Sequence, residues 1–251
     1  MHTDPASDSA TYLIAPRYLA GPDPTVNSTL SDRLRAVGWS CESYRAGLVF
    51  VLREGGGLMA ACHAPDGTPP GQGPCPAMGW EFTARSGSGR PTAWSVRFTP
   101  ATPPELPTAF ATALSGADAA PGPGNASPHY LQAPGQADEA TAPLREAGWR
   151  QDIGAYWSVW YAPDQQAVVT TPVPPGTDGY GGTSWLLAAR RATDRTVLWM
   201  AVAHPNTPTP LMRALCAALT DPAPVPRPRA PALEVGATAL AQPSPTEIAR
   251  P

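Results

Sequence analysis

The chain has no lysine; all 17 of its basic residues are arginine. Arginine's planar fork suits phosphate and base edges better than a compact ammonium does, but a GC-rich coding bias produces the same composition without any such role. The net charge is −3. That excludes a generic basic coat for nucleic acid and leaves a localised basic face as the form such binding would take. Histidine and cysteine are scarce, four of each. Cys41, Cys62, Cys75 and Cys216 form no C-x-x-C pair, and Cys62-His63 with Cys75 lacks a fourth ligand. No metal or other cofactor is therefore expected, and unpaired thiols point to a reducing, cytoplasmic setting. No apolar run approaches the ~20 residues needed to span a bilayer. Met1 to Ala10 carries Asp4 and Asp8 without a basic stretch and apolar core, so it does not read as a secretory leader.

Catalytic signatures are missing too. No G-x-S-x-G, P-loop, H-E-x-x-H or G-x-G-x-x-G stands in the context its chemistry requires. His63 and His204 fall at the ends of expected strands, with no serine, cysteine or carboxylate partner repeated elsewhere. The expectation is a non-enzymatic protein.

What the chain does contain is a repeat. Leu34-Arg35-Ala36-Val37-Gly38-Trp39 returns as Leu144-Arg145-Glu146-Ala147-Gly148-Trp149, 110 residues on. Trp80 matches Trp185 and Trp94 matches Trp199 at an offset of 105, and Thr102-Pro103 with Leu106 matches Thr207-Pro208 with Leu211 at the same offset. Upstream, Pro16-Arg17-Tyr18-Leu19 matches Pro128-His129-Tyr130-Leu131 at 112. Near-constant spacing over separate landmarks marks a tandem duplication. The expected organisation is a disordered N-terminus over 1–10, a first repeat over 11–116, a linker over 117–127, a second repeat over 128–221 and a disordered Pro/Ala-rich tail over 222–251.

Within the first repeat, Leu30, Leu34 and Val37 share one helical face that Gly38 terminates. The period then changes to two. Leu48–Leu52, Leu58–Cys62, Trp80–Arg85 and Trp94–Phe98 read as four antiparallel strands, with Trp80, Phe82, Trp94, Val96 and Phe98 facing inward. Thr102-Pro103-Pro104-Glu105 reads as a capping box opening a helix whose stripe is Leu106, Phe110 and Leu114. The second repeat follows the same plan. The fold class expected is α+β, each unit a helix, a four-stranded antiparallel sheet and a C-terminal helix.

The run Pro16-Arg17-Tyr18-Leu19-Ala20-Gly21, the Gly38-Trp39 pair, the strand tryptophans and the Thr-Pro-Pro-Glu segment together resemble the actinobacterial domain-of-unknown-function family 317. Its members typically carry two copies. The resemblance covers about residues 12–220 and implies no chemistry. The second copy departs from the pattern: His129 replaces arginine, and its helix opens Thr207-Pro208-Thr209-Pro210 without a glutamate.

The outward sheet faces carry the functional candidates. Alternation places Arg85 and Arg97 outward, with Arg53 at the end of the first expected strand. In the second repeat Trp157 and Tyr161 alternate outward, with Arg190 on the third strand. Aromatic rings beside arginines form a stacking platform of the kind single-strand binders use. The same rings could equally bury against the other repeat or a second subunit. Two tandem units of four strands and a helix resemble the plan of the Whirly and PUR-type single-strand binders, an analogy of fold only. The expected function is nucleic-acid binding, to single- or double-stranded DNA, through Arg53, Arg85, Arg97, Trp157, Tyr161 and Arg190. The alternative is a protein-interaction module or homodimer.

Overall fold

The computed structural model of the protein describes residues 11–44, 47–52, 57–63, 79–87, 90–115, 128–154, 157–172, 184–227 and 238–242. The expected N-terminal segment 1–10 and the linker 117–127 lie outside the described residues.

Gly38 and Gly148 take φ of +89° and +76°, the left-handed conformation that terminates a helix. Helix α1 (Pro24–Ala36) and helix α3 (Ala137–Glu146) both stop just before these glycines. The tryptophan that follows each, Trp39 and Trp149, is buried. The first repeat then runs through β2 (Trp39–Tyr44), β3 (Gly47–Leu52), β4 (Leu58–His63), β5 (Gly79–Arg85) and β6 (Thr92–Phe98) into α2 (Glu105–Leu114). The second runs through β7 (Arg150–Gly154), β8 (Trp157–Tyr161), β9 (Ala167–Thr171), β10 (Trp185–Arg190) and β11 (Val197–Ala203) into α4 (Thr209–Thr220).

The fold is α+β and its two halves repeat, but each unit has five strands where four were expected. The extra strands, β2 and β7, are the two edges of one ten-stranded sheet of order β2-β3-β4-β5-β6-β11-β10-β9-β8-β7. An edge strand need not carry apolar alternation. β2 includes Ser40, Glu42 and Ser43, β7 begins Arg150-Gln151-Asp152, and Ile153 is 70% exposed. The extra strand also loosens the analogy with four-stranded Whirly and PUR-type units.

The halves join where β6 pairs antiparallel with β11, Val96 opposite Ala203, Arg97 opposite Val202 and Phe98 opposite Ala201. An antiparallel junction between equivalent strands creates a pseudo-twofold axis normal to the sheet. The register on the two sides is the same. Trp80 lies opposite Phe98 and Trp94 opposite Ala84, while Trp185 lies opposite Ala203 and Trp199 opposite Ala189. Even the irregularities match, after Ala84 in β5 and after Ala189 in β10.

Helices cover the inner face. Leu106, Phe110 and Leu114 of α2, and Leu211, Leu215 and Leu219 of α4, are all buried against it. Phe110 sits 5.1 Å from the Phe82 ring centre and 5.9 Å from that of Trp94. Truncating such a core ring costs about 3–5 kcal/mol.

The two repeats also exchange their leading turns. Short 3-10 turns span Arg17–Leu19 and His129–Leu131. The indole N–H of Trp94 donates to the Tyr130 carbonyl at 2.7 Å, and that of Trp199 donates to the Tyr18 carbonyl at 2.8 Å. Arg17 donates to the Ala218 carbonyl near the end of α4, while His129 Nε2 lies 2.9 Å from the Leu114 carbonyl at the end of α2. The Tyr18 ring stands edge-on to Trp149 at 6.1 Å. Burial, with Asp164 beside it, pushes the Tyr18 hydroxyl up from its ordinary value. Each copy thus supplies a turn that completes the other, so the pair folds as one body.

Two expectations are corrected. The segment 222–251 is not disordered throughout: β12 (Val225–Arg227) and β13 (Thr238–Gln242) flank β1 (Thr11–Ala15) in a separate three-stranded sheet. What overrides the Pro/Ala composition is a buried ion pair. The Arg227 side chain is 4% exposed and forks onto both Glu105 carboxylate oxygens at 2.8 and 2.9 Å. Its Nε also donates to the Ala20 carbonyl. For the same reason Glu105 forms no capping box. α2 begins at Glu105 without a side-chain cap, and the Thr102 hydroxyl lies 3.2 Å from that of Thr99.

Candidate nucleic-acid interface

Among the described residues the helices pack on one face of the sheet; on the other, Arg97, Met200 and Val202 are exposed while Ala61, Thr83 and Ala188 are buried. One cross-strand row runs through all ten strands: Glu42, Val49, Ala61, Glu81, Arg97, Val202, Leu186, Thr170, Val159 and Asp152. Its two ends carry carboxylates and its centre carries the Arg97–Val202 pair. Arg97 Nε donates to Glu81 at 2.9 Å, directly across β5 and β6. With the Arg97 side chain 71% exposed, such a pair contributes at most about 1 kcal/mol. It still places a carboxylate beside the guanidinium. Beyond Arg97 the centre turns aliphatic, with Val202 37% and Met200 36% exposed.

The six sequence-derived candidates separate accordingly. Arg53 lies outside the described residues. Trp157 pairs with Gly154 along the β7–β8 ladder, and its side chain lies outside the described residues. Tyr161 is half-buried on the outer face, with the Arg150 guanidinium 5.6 Å from its ring centre, within the range of a cation–π contact. Arg85 is exposed and Arg190 half-buried. Each lies just past the point where the partner strand carries an extra residue, Ala93 in β6 and Leu198 in β11, and the unbroken alternation of its own strand turns each outward. Neither has an ion-pair partner among the described residues, and the Arg190 Nε is buried without a hydrogen-bond partner.

Structure adds three arginines that alternation did not select. Arg90 and Arg195 sit in the β5–β6 and β10–β11 hairpins, 105 residues apart, and both are exposed. Arg150 opens β7. The offset that matched the tryptophans would have found the hairpin pair. In the second hairpin Arg195 donates to the Gln165 carbonyl at 3.0 Å and Arg191 pairs with Asp194 at 3.2 Å. The Thr196 amide, 3.0 Å from Asp194, holds that carboxyl below its ordinary range. Arg85 with Arg90 and Arg190 with Arg195 therefore stand at two opposite ends of the sheet, related by the pseudo-twofold, with Arg97 between them, while Arg150 and Arg191 have no basic counterpart in the first copy.

Other reactive groups are placed apart. Cys62 and Cys216 are buried, and burial pushes the Cys216 thiol up to about 12. The exposed His204 accepts from the Asn206 amide at its Nδ1. Among the described residues no cluster of three histidine, cysteine or acidic side chains could hold a metal, and no helix is long and apolar enough to cross a membrane. An open groove of about 940 Å³ over α2, α3 and α4 is lined by Ala109, Ala214, Ala217 and Ala218, rimmed by Arg17 and Arg213.

No curated protein and no solved structure gives a significant match to the chain. A family model does match, twice, over residues 57–121 and 161–225. Each stretch contains three equivalent strands and a helix: β4 to β6 with α2 in the first, β9 to β11 with α4 in the second. The chain therefore belongs to the SPDY family, a domain of unknown function (DUF317), and carries it in two tandem copies.

Proposed function

We propose that the protein is a non-enzymatic, cytoplasmic nucleic-acid-binding protein that acts on DNA through the outer sheet face of its two repeats. The observation that carries this reading is the duplication of cationic groups: Arg85 with Arg90 in one copy, Arg190 with Arg195 in the other. The two pairs stand at equivalent positions, with Arg85 and Arg190 turned by alternation away from the helix-packed face, and among the described residues Arg85 and Arg190 have no carboxylate partner. Tyr161, beside Arg150, adds a ring on which a base can stack.

The test is a titration of labelled single- and double-stranded DNA at two salt concentrations, followed by anisotropy. Arg85→Ala with Arg190→Ala should weaken binding and flatten the salt dependence by about 0.7–0.9 in log–log slope for each phosphate no longer neutralised. Wild-type protein showing no salt-sensitive binding to either form would end the reading. The second reading, a protein-interaction module or homodimer, rests on exposed Met200 and Val202 at the centre of the same face. It expects Val202→Glu to change the oligomer or abolish a partner while DNA binding stays absent.

A further inference from the structure

Resting on that reading, we infer that the ligand is double-stranded DNA, held along one diagonal of the sheet so that the two arginine pairs meet it about one helical turn apart. Arg85 lies four residues along β5 from Glu81, and Arg190 lies four residues along β10 from Leu186. Glu81 and Leu186 occupy the same cross-strand row, separated by β6 and β11. β5 and β10 run antiparallel, so the two arginines lie at opposite ends. At about 3.3 Å per residue and about 4.8 Å per strand they are about 26 Å apart along the strands and about 14 Å across them, about 30 Å in all. Half-sites on B-DNA recur every ~34 Å, and the hairpin arginines Arg90 and Arg195 extend beyond these strand ends. A duplex carries local twofold axes normal to its own axis, so the two arginine pairs, related by the pseudo-twofold, present the same contacts to both strands, although the positions between them differ, Thr83, Ser95 and Arg97 standing opposite Ala188, Met200 and Val202. A single strand has neither the fixed repeat nor the symmetry.

The surface under this diagonal admits a polyanion. The path passes over Thr83, Ser95, Arg97, Val202, Met200 and Ala188. Among the described strand residues, its one neighbouring carboxylate is Glu81, which Arg97 already engages. Glu42 and Asp152 end the central row on the edge strands, about 20 Å from the diagonal by the same spacings. That exceeds the Debye length of about 10 Å at 0.1 M salt. At the Arg190 end, Asp194 is held by Thr196 and Arg191, and Asp164 by Gln166.

The full chain is titrated with labelled duplexes of about 8, 12 and 18 base pairs, a matched single strand and a matched RNA duplex. At ~3.4 Å per base pair the shortest spans about 27 Å and cannot reach both ends. Expected are at least tenfold tighter binding to the 18-mer than to the 8-mer, and a salt slope steeper by about 1.8 for two further phosphates neutralised. Arg85→Ala with Arg90→Ala, and separately Arg190→Ala with Arg195→Ala, should each remove the length advantage. The wild-type length series stands without the variants, should either fail to fold. Salt-sensitive binding that is independent of length, or equal for the single strand or the RNA duplex, overturns the diagonal while leaving nucleic-acid binding intact. No salt-sensitive binding to any of these overturns both.

Discussion

Removing the Arg227 side chain should destabilise the whole protein, although the residue lies in a Pro/Ala-rich tail. In the folded chain its guanidinium bridges Glu105 and approaches Asp23 at 3.9 Å, with the Asp23 side chain 5% exposed. It also donates to the Ala20 and Gly21 carbonyls. Arg227→Ala leaves two carboxylates facing each other beneath the small sheet. Breaking one side of such a buried pair costs about 3–5 kcal/mol. Loss of β12 docking would also uncover Ile14 and Val225, which pack together, at about 1.5–3 kcal/mol for each side chain fully exposed. The ion-pair loss alone, at ~2–4 °C per kcal/mol for a chain of this size, predicts a Tm lower by about 10 °C. Thermal unfolding followed by circular dichroism measures it. Truncation after Ala223 should lower Tm at least as much, since it removes Arg227 together with β12 and β13. If both proteins melt within about 2 °C of wild type, the tail does not dock as described and Arg227 does not anchor it.

Trp199→Phe keeps the ring but removes the donor to the Tyr18 carbonyl. It should cost about 1–3 kcal/mol, and amide exchange should rise at both leading turns if the copies depend on each other. Asp221 has a carboxyl lowered first by the Ala223 amide and then by Arg17. The folded state therefore binds that proton less tightly than the unfolded one. Its contribution is complete above the ordinary carboxylate range and is lost as pH falls through the lowered value. Asp221→Asn should accordingly narrow the Tm difference between pH 6 and pH 3, and an unchanged difference would remove Asp221 from the acid response.

The sequence carried the inner face well and the edges poorly. Trp80, Phe82, Trp94, Val96 and Phe98 alternate because one side of their strands meets α2, so burial writes its period into the residues. β2 and β7 pair on one side only, and Arg150-Gln151-Asp152 has no such period to read. The same limit hid β12, whose docking depends on Glu105, 122 residues away. Alternation alone places Tyr161, Arg85, Arg97 and Arg190 on the side away from the core, but alternation ignores neighbours and so does not reveal the Glu81 partner of Arg97. The register that pairs them follows once Trp80 is set opposite Phe98. Arg90 and Arg195 lie in turns, where period two has ended and only the 105-residue offset speaks.

The places where the copies differ have separate physical causes. His129 stands where the first copy has Arg17, which reads as divergence, yet each side chain reaches carbonyls at the end of the partner copy's last helix. A helix C-terminus accepts either donor, so the exchange of turns survives the substitution. The missing glutamate at Pro210 has another origin. Glu105 is needed because Arg227 docks against it, and a chain with one C-terminal tail can dock it on one copy only. Outside that contact the pseudo-twofold is free to hold, and on the outer face the cations obey it at Arg85 and Arg190, and at Arg90 and Arg195. The repetition at these four arginines stands out because the outward positions between them differ, Thr83, Ser95 and Arg97 in one copy against Ala188, Met200 and Val202 in the other, and core packing, which acts on the opposite face, requires neither.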